Sequence, residues 1–211
     1  MTDHIQELIS RYPCLAACEE GIRASYAILE RSFAAGGKLL TAGNGGSAAD
    51  SDHIAGELLK SFVKARRPNH AFLDRLAAID GECGGYLADK LEEGLPVISL
   101  CNQTALMTAS LNDVDGNVVF AQQLMGLGRK EDVFLGISTS GNSKNIVYAM
   151  TVAKAKGLAT IALTGRDGGR IARLADAAII VPEHETFKIQ ELHLPVYHAL
   201  CLQIEEHFFP G

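Results

Sequence analysis

Short apolar runs alternate with amphipathic helical patterns along most of this chain. Each run is bounded by glycine, proline, aspartate or asparagine, which is typical of strands covered on both faces. Such runs predict strands at residues 39–42, 96–100, 132–137, 160–163 and 177–181. Helical patterns cover about 5–35 with a break near Pro13, a stretch that opens near Ala48, and 104–111, 117–124, 143–156 and 187–209. Strands separated by helices imply right-handed crossovers, so we expect an α/β fold: a three-layer α/β/α sandwich around a five-stranded parallel sheet, with additional N-terminal helices.

The organisation is that of one domain. With 211 residues, 47% of them hydrophobic, the chain can bury one substantial core. We expect a single domain over 1–211, in which 1–36 forms an N-terminal helical arm. Residues 62–95 fit the alternation least well, because a helical pattern over 73–91 is interrupted by the glycines of 81–85. The prediction there is an irregular insertion or flap.

Charge and targeting signals restrict the class of function. The net charge is −6, and no block of lysine or arginine is present, which argues against nucleic acid as a partner. No apolar run approaches the roughly 18 residues of a membrane-spanning helix, and the N-terminus lacks the pattern of a secretory signal. The five cysteines match no zinc-ribbon spacing and are odd in number. These features predict a cytoplasmic protein with reduced thiols and no membrane partner.

A glycine- and serine-rich turn follows the first predicted strand. Residues 43–47 read GNGGS and lead directly into a helix. Backbone N–H groups and the positive end of the helix dipole then converge on one place, which suits a phosphate or another anion. His53 and Glu57 lie four residues apart on that helix and therefore project from one face. Such a pair taken alone is more often a helix-surface pair than a ligand set.

A second turn of the same kind follows the third predicted strand. Residues 134–143, FLGISTSGNS, carry the hydroxyls of Ser138, Thr139, Ser140 and Ser143. Hydroxyls and amides at a helix start can bind phosphate oxygens, although a single serine-rich turn is equally consistent with turns and helix caps. Two such turns at the carboxyl ends of parallel strands favour a ligand site, since ligands bind at that edge of α/β sheets.

Two other phosphate-binding motifs were considered and neither is complete in this sequence. Gly43, Gly45 and Ala48 satisfy the weak dinucleotide fingerprint G-x-G-x-x-A. That motif also needs an acidic residue at the end of a second strand about twenty residues later, and the sequence there is KSFVKARRPNH. The Gly-Lys-Ser/Thr of a nucleoside-triphosphate loop is absent from the sequence. We therefore expect no nucleotide cofactor.

The C-terminal helix supplies further polar candidates. At 100° per residue, Gln190 lies about 80° from His198, whereas His193 points about 140° away. The two histidines should therefore serve different surfaces. His198 taken alone is more often a hydrogen-bonded structural residue than a catalyst, and Pro195 could kink the helix between them.

Four segments in order resemble one family across nearly the whole chain. They are GNGGSAADSDHIAGEL, the Asn-Asp pair at 112–113, STSGNS at 138–143, and IQELHLPVYH near the C-terminus. This combination is similar to sugar isomerase (SIS) domain proteins, whose fold is flavodoxin-like, and within them to the phosphoheptose isomerases. The resemblance implies isomerisation of sedoheptulose 7-phosphate to D-glycero-D-manno-heptose 7-phosphate, with heptose supply for lipopolysaccharide as one route. It also implies a homotetramer whose active sites form where subunits meet.

The resemblance also assigns roles to residues. Glu57 would be the general base and His198 its acid/base partner. The substrate-binding set would comprise Asn44, Gly45, Gly46, Ser47, Glu57, Asn112, Asp113, Ser138, Thr139, Ser140, Ser143 and Gln190. Some members bind zinc through the positions of His53, Glu57, Gln190 and His198, whose nitrogen and oxygen donors zinc accepts.

Two other functions remain open at this point. SIS domains also serve as sugar-phosphate sensors and as protein partners, including a relative that binds the replication initiator DnaA, and these would need neither Glu57 nor His198. An isomerase or lyase for another phosphosugar would share the site and differ in substrate.

Overall fold

The sheet has five parallel strands, and the computed structural model describes residues 2–210. The strands are β1 (Leu39–Ala42), β2 (Val97–Ser99), β3 (Val133–Ser138), β4 (Ala159–Thr164) and β5 (Ala177–Ile180). Their spatial order is β2-β1-β3-β4-β5, and Leu40 of β1 lies between Ile98 of β2 and Phe134 of β3. Because β1 lies beside β3, the turns that follow these two strands are neighbours at the carboxyl edge of the sheet.

Helices connect the strands and precede the first of them. They are α1 (His4–Arg11), α2 (Glu19–Ala34), α3 (Gly46–Leu59), α4 (His70–Ile79), α5 (Gly81–Lys90), α6 (Thr104–Asp113), α7 (Val119–Leu127), α8 (Lys144–Ala155), α9 (Gly169–Leu174) and α10 (Thr186–Phe208). A 3₁₀ helix at Pro13–Cys18 separates α1 from α2, so the predicted break near Pro13 is confirmed. Among the helices of residues 2–210, none combines the length and the apolar character needed to span a bilayer.

Each face of the sheet has its own hydrophobic core. Leu39 and Val133 point into the core that contains α1, α2, α3 and α10. Their sequence neighbours Leu40 and Phe134 point to the opposite face, where α7 and α8 pack. Alternation along each strand thus fills both faces with apolar side chains, and the predicted three-layer α/β/α architecture is confirmed.

The prediction of an irregular insertion or flap over 62–95 is wrong at the glycines of 81–85. These residues form the beginning of α5, where the Asp80 side chain accepts a hydrogen bond of 2.8 Å from the Cys83 N–H and caps the helix. A Cβ at Gly84 would lie 2.5 Å from the Leu76 carbonyl oxygen. Glycine is therefore needed there for the close approach of α4 and α5, and not for a turn. The predicted helical pattern over 73–91 is confirmed as this pair of helices.

The connection from α3 to α4 is anchored on a carboxylate of α10. Glu205 is fully buried, and its oxygens accept hydrogen bonds of 2.8–3.2 Å from the backbone N–H groups of residues 62–64. Arg66, also fully buried, donates to Glu205 at 2.8 Å and to the carbonyl oxygens of Leu58 and Glu57 at the end of α3. These bonds lower the pKa of Glu205 against the opposing effect of burial. One ion pair therefore joins the C-terminal end of α3 to α10.

Glu205→Gln tests this anchor. The substitution leaves the Arg66 guanidinium buried without a charged partner, and breaking a buried pair costs about 3–5 kcal/mol. We expect the free energy of unfolding, measured by urea denaturation, to fall by that order. The neighbouring Glu206→Gln is the matched control, because Glu206 pairs with Lys64 nearer the surface at 2.7 Å. Equal losses in the two variants would contradict a special role for Glu205.

Candidate active site

The glycine turn lies at the carboxyl end of β1 and begins α3. Gly45 has a φ of +56°, which favours glycine, and the Asn44 carbonyl accepts a hydrogen bond of 3.0 Å from the Ser47 N–H. A Cβ on Gly46 would lie 2.4 Å from the Gln190 Nε2 atom. The bare backbone of Gly46 therefore lets Gln190 of α10 approach the turn. The structure brings these predicted substrate residues together.

The hydroxyl turn lies at the carboxyl end of β3 and begins α8. The Oγ atoms of Ser138 and Ser143 are 3.0 Å apart, so both hydroxyls face one point at the helix start. Gly141 has a φ of +64°, and a Cβ there would lie 2.0 Å from the Gly168 carbonyl oxygen. The side-chain amide of Asn142 donates to the Ser140 carbonyl at 2.8 Å. These contacts hold Ser138, Ser140 and Ser143 in one compact turn, with Thr139 between them.

An amide pair that the sequence did not reveal joins the two turns. Asn44 donates from Nδ2 to Asn145 Oδ1 at 3.0 Å, and Asn145 donates back to Asn44 Oδ1 at 2.8 Å. The partners lie 101 positions apart in sequence, and periodicity carries no signal for such a contact.

The titratable candidates meet where α3 faces α10. His53 Nε2 lies 2.9 Å from Glu57 Oε1, and His53 Nδ1 lies 2.9 Å from the Tyr197 hydroxyl. The rings of His53 and His198 are 5.0 Å apart at an interplanar angle of 89°. Burial and the adjacent His53 lower the pKa of His198 below its ordinary value. The cluster thus combines a carboxylate with a histidine that favours its neutral form.

Asp50 lies behind this cluster and was not among the predicted site residues. Its Oδ2 atom is buried and finds no hydrogen-bond partner in the described part of the chain. Burial raises the pKa of Asp50 to about 6, and the neighbouring Tyr197 and His53 act in the opposite direction. The sequence analysis also missed Tyr197. It directly precedes His198, but only the histidines of this segment were considered as candidates.

Asn112 and Asp113 lie apart from this cluster, at the exposed end of α6. Within residues 2–210, their side chains hydrogen-bond to each other at 2.7 Å and not to another candidate residue. Their role in binding sugar hydroxyls stays a prediction.

The donor set can be compared with the needs of zinc. His198 Nε2 is buried and has no partner among residues 2–210, whereas His53 and Glu57 are hydrogen-bonded to one another. The donor types therefore fit zinc, and one buried nitrogen is free to take it. Over the same residues, however, no three His, Cys, Asp or Glu side chains stand in a preformed arrangement for a metal ion. Binding through His53, Glu57, Gln190 and His198 would need side-chain rearrangement.

The chain resembles known proteins along nearly its whole length. The SIS domain family model matches residues 81–165. The phosphoheptose isomerase of a Nitratiruptor species is 44% identical over 171 residues, which cover 81% of this chain and 78% of that protein. That of Aneurinibacillus thermoaerophilus is 38% identical over 209 residues, covering 98% and 92%. The chain belongs to the phosphoheptose isomerase family.

A solved structure of this family supports the same assignment. The phosphoheptose isomerase of Neisseria gonorrhoeae superposes with a TM-score of 0.75 at 33% identity, covering 96% of this chain and 95% of that one. The resemblance drawn from the sequence is thereby confirmed, and so is an enzyme family in place of a non-catalytic sensor.

His193 of α10 serves the interior and not the cluster, as the helical angle predicts. It is fully buried, and neither ring nitrogen has a partner within the described residues. Burial lowers the pKa of His193 to about 4, against an ordinary value of 6.5. Between these values the unfolded chain binds a proton that the folded chain does not, so stability is lost as the pH falls from 6.5 towards 4.

His193→Leu should remove this pH dependence. The shift corresponds to about 3 kcal/mol at about 1.4 kcal/mol per pH unit, all of it present above pH 6.5. We expect urea denaturation to show a smaller loss of stability between pH 6.5 and 4 in the variant than in the wild type. His70→Gln, at an exposed histidine of α4, is the control and should retain the wild-type slope. Identical slopes in His193→Leu and wild type would contradict the assignment.

Proposed function

We propose that this chain converts sedoheptulose 7-phosphate into D-glycero-D-manno-heptose 7-phosphate. The observation that carries the proposal is the meeting of Glu57 and His198 beside two helix-initiating turns, in a chain of the phosphoheptose isomerase family. The reaction moves a carbonyl from C2 to C1. It therefore needs a base for a carbon-bound proton and an acid/base group for the sugar oxygens.

Glu57 is proposed as the group that moves the carbon-bound proton. Its carboxylate would take the proton from C1 of the ketose, giving an enediol, and return it to C2. The contact with His53 Nε2 orients one carboxylate oxygen, whereas the second lies 4.0 Å from Lys60 Nζ and is the one proposed to face the substrate. The side chain is only 16% exposed, so little water competes for it. General acid–base catalysis of this kind contributes about 10²–10⁴-fold.

His198 is proposed as the acid/base partner at the sugar oxygens. Because its pKa is lowered, the ring is predominantly neutral at neutral pH and can both accept and donate a proton. It would move a proton between the oxygens on C1 and C2 as the carbonyl migrates.

The two turns are proposed to hold the substrate. The hydroxyls of Ser138, Thr139, Ser140 and Ser143 would bind the phosphate at the start of α8. The sugar would contact the Gln190 amide, the Asn112–Asp113 pair, and the backbone of Asn44, Gly45, Gly46 and Ser47. Holding both ends of the substrate fixes C1 and C2 against Glu57, and such positioning supplies much of the rate enhancement in enzymes.

We also propose that one zinc ion per subunit can bind through His53, Glu57, Gln190 and His198. The buried His198 Nε2, which no described residue satisfies, supports this proposal. When bound, zinc would act as a Lewis acid towards the sugar oxygens.

Turnover of sedoheptulose 7-phosphate by the purified protein, followed by NMR, tests the proposal. We expect a heptose 7-phosphate to form, and assays after chelation, with and without added zinc, report whether metal takes part. Glu57→Gln should reduce kcat by at least about 10²-fold, because the amide cannot accept the proton. The same variant should still fold and bind the sugar phosphate.

Glu20→Gln is the control for this substitution, since Glu20 is an acid in the first turn of α2, away from the cluster. Near-normal turnover by Glu57→Gln would remove Glu57 from the mechanism. Saturable binding without turnover by the wild type would favour a sensor or an enzyme for a different phosphosugar.

We propose in addition that the chain forms a homotetramer in the cytoplasm. No residue of α4 is buried within residues 2–210, and large apolar side chains are exposed on α4, α5 and α6, among them Ile79, Tyr86 and Leu111. Contact with further copies would remove this surface from water.

Sedimentation velocity tests the assembly. We expect the wild type to sediment as a tetramer and Ile79→Asp to shift towards smaller species, because Ile79 is 83% exposed in the single chain. Asp74→Asn is the control at another exposed position of α4. A monomeric wild type at micromolar concentration would contradict the proposal.

A further inference from the structure

The reciprocal amide pair of Asn44 and Asn145 links the two turns of the site. Each side chain donates one hydrogen bond and accepts one, at 3.0 and 2.8 Å. An amide has two N–H groups and two lone pairs on oxygen, so half of the hydrogen-bonding capacity of Asn44 is committed to Asn145. The pair therefore restricts Asn44 to one orientation.

Both partners are also tied to their own turns. The Asn44 carbonyl accepts from the Ser47 N–H at 3.0 Å, which is the first hydrogen bond of the glycine turn. Asn145 Oδ1 accepts a further bond of 3.0 Å from the Ile146 N–H in the first turn of α8. A displacement of either turn must therefore break the pair or carry the other turn with it.

The Asn44–Asn145 pair affects the spacing of the two turns more than the free energy of unfolding. Both of its bonds are exposed to solvent, and such hydrogen bonds add little to the free energy of unfolding because water replaces them. Asn145 follows Ser143 by two residues, whereas Asn44 lies in the turn that leads into α3, the helix of Glu57. The connection thus runs between the proposed phosphate-binding end and the proposed proton-transfer end of the site.

We propose that Asn145 is a positioning residue, which fixes the glycine turn relative to the hydroxyl turn through Asn44. A substrate held by its phosphate then presents C1 and C2 at a set distance from Glu57. The inference rests on the proposed isomerase function and deepens it. A misplacement of about 1 Å can cost an enzyme 10²-fold in rate, so a weak contact at this place has a large kinetic effect.

A double-mutant cycle on Asn44 and Asn145 tests the inference. We expect Asn145→Ala to lower kcat by about tenfold or more for sedoheptulose 7-phosphate, since alignment is lost. Its inhibition constant for inorganic phosphate should stay within about twofold of wild type, because the hydroxyls of the phosphate turn remain. In the Asn44→Ala background, Asn145→Ala should have no further effect on kcat, since its partner is already absent.

Two further variants separate positioning from general damage. Asn145→Asp keeps an acceptor for the Ile146 N–H and loses the donor to Asn44, so its kcat should also fall. Thr151→Ala is the control on α8, where the hydroxyl donates to the Val147 carbonyl at 2.9 Å, and its kcat should be unchanged. The melting temperatures of these variants should lie close to that of the wild type.

The possible outcomes are distinguishable. A normal kcat in Asn145→Ala, or losses that multiply in the double variant, would overturn the inference while leaving the isomerase intact. A raised inhibition constant for phosphate with kcat unchanged would make Asn145 a phosphate-turn residue and would also overturn it. Absence of turnover by the wild type would overturn the proposed function and this inference together.

Discussion

The buried ion pair between Arg66 and Glu205 sets the geometry on which the candidate site depends. Glu57 lies near the end of α3, whereas Gln190 and His198 lie on α10. Arg66 binds the carbonyl oxygens at the end of α3 while it pairs with Glu205 of α10. A buried pair of this kind adds little net stability over well-packed apolar residues. Its contribution here is to fix the position of α3 relative to α10.

The same pair brings an aromatic side chain to the cluster. Because Glu205 accepts the backbone N–H groups of residues 62–64, the chain turns sharply after α3. Phe62 then lies against the His198 ring, with 5.4 Å between the ring centroids. This contact, together with the Tyr197 ring at 5.0 Å, explains why the pKa of a histidine in a polar cluster is lowered by burial. The anchor therefore affects the protonation of His198 as well as its position.

Local patterns in the sequence predicted the elements and the turns of the site, and long-range contacts escaped them. The first strand was predicted with its observed bounds, and the turns after β1 and β3 follow the carboxyl ends of their strands as expected, because apolar runs and glycine positions are local signals. The glycines of 81–85 led to a wrong prediction of irregular structure. Glycine is required both in loops and where two helices pack closely, and the sequence does not distinguish the two cases. The contacts of Asn145 with Asn44 and of Arg66 with Glu205 join residues more than a hundred positions apart, and no periodicity encodes such pairings.

The order of the elements along the chain has a consequence for biosynthesis. Both turns and the Glu57 helix precede residue 144, whereas Gln190 and His198 belong to α10, which follows every other helix and strand described. A ribosome therefore synthesises the two turns proposed to hold the substrate well before the helix that completes the proposed catalytic cluster. Until α10 emerges, Arg66 has no carboxylate to pair with, and the apolar face of α3 lacks its cover. The residues proposed to bind phosphate are thus synthesised before His198, the proposed acid/base partner.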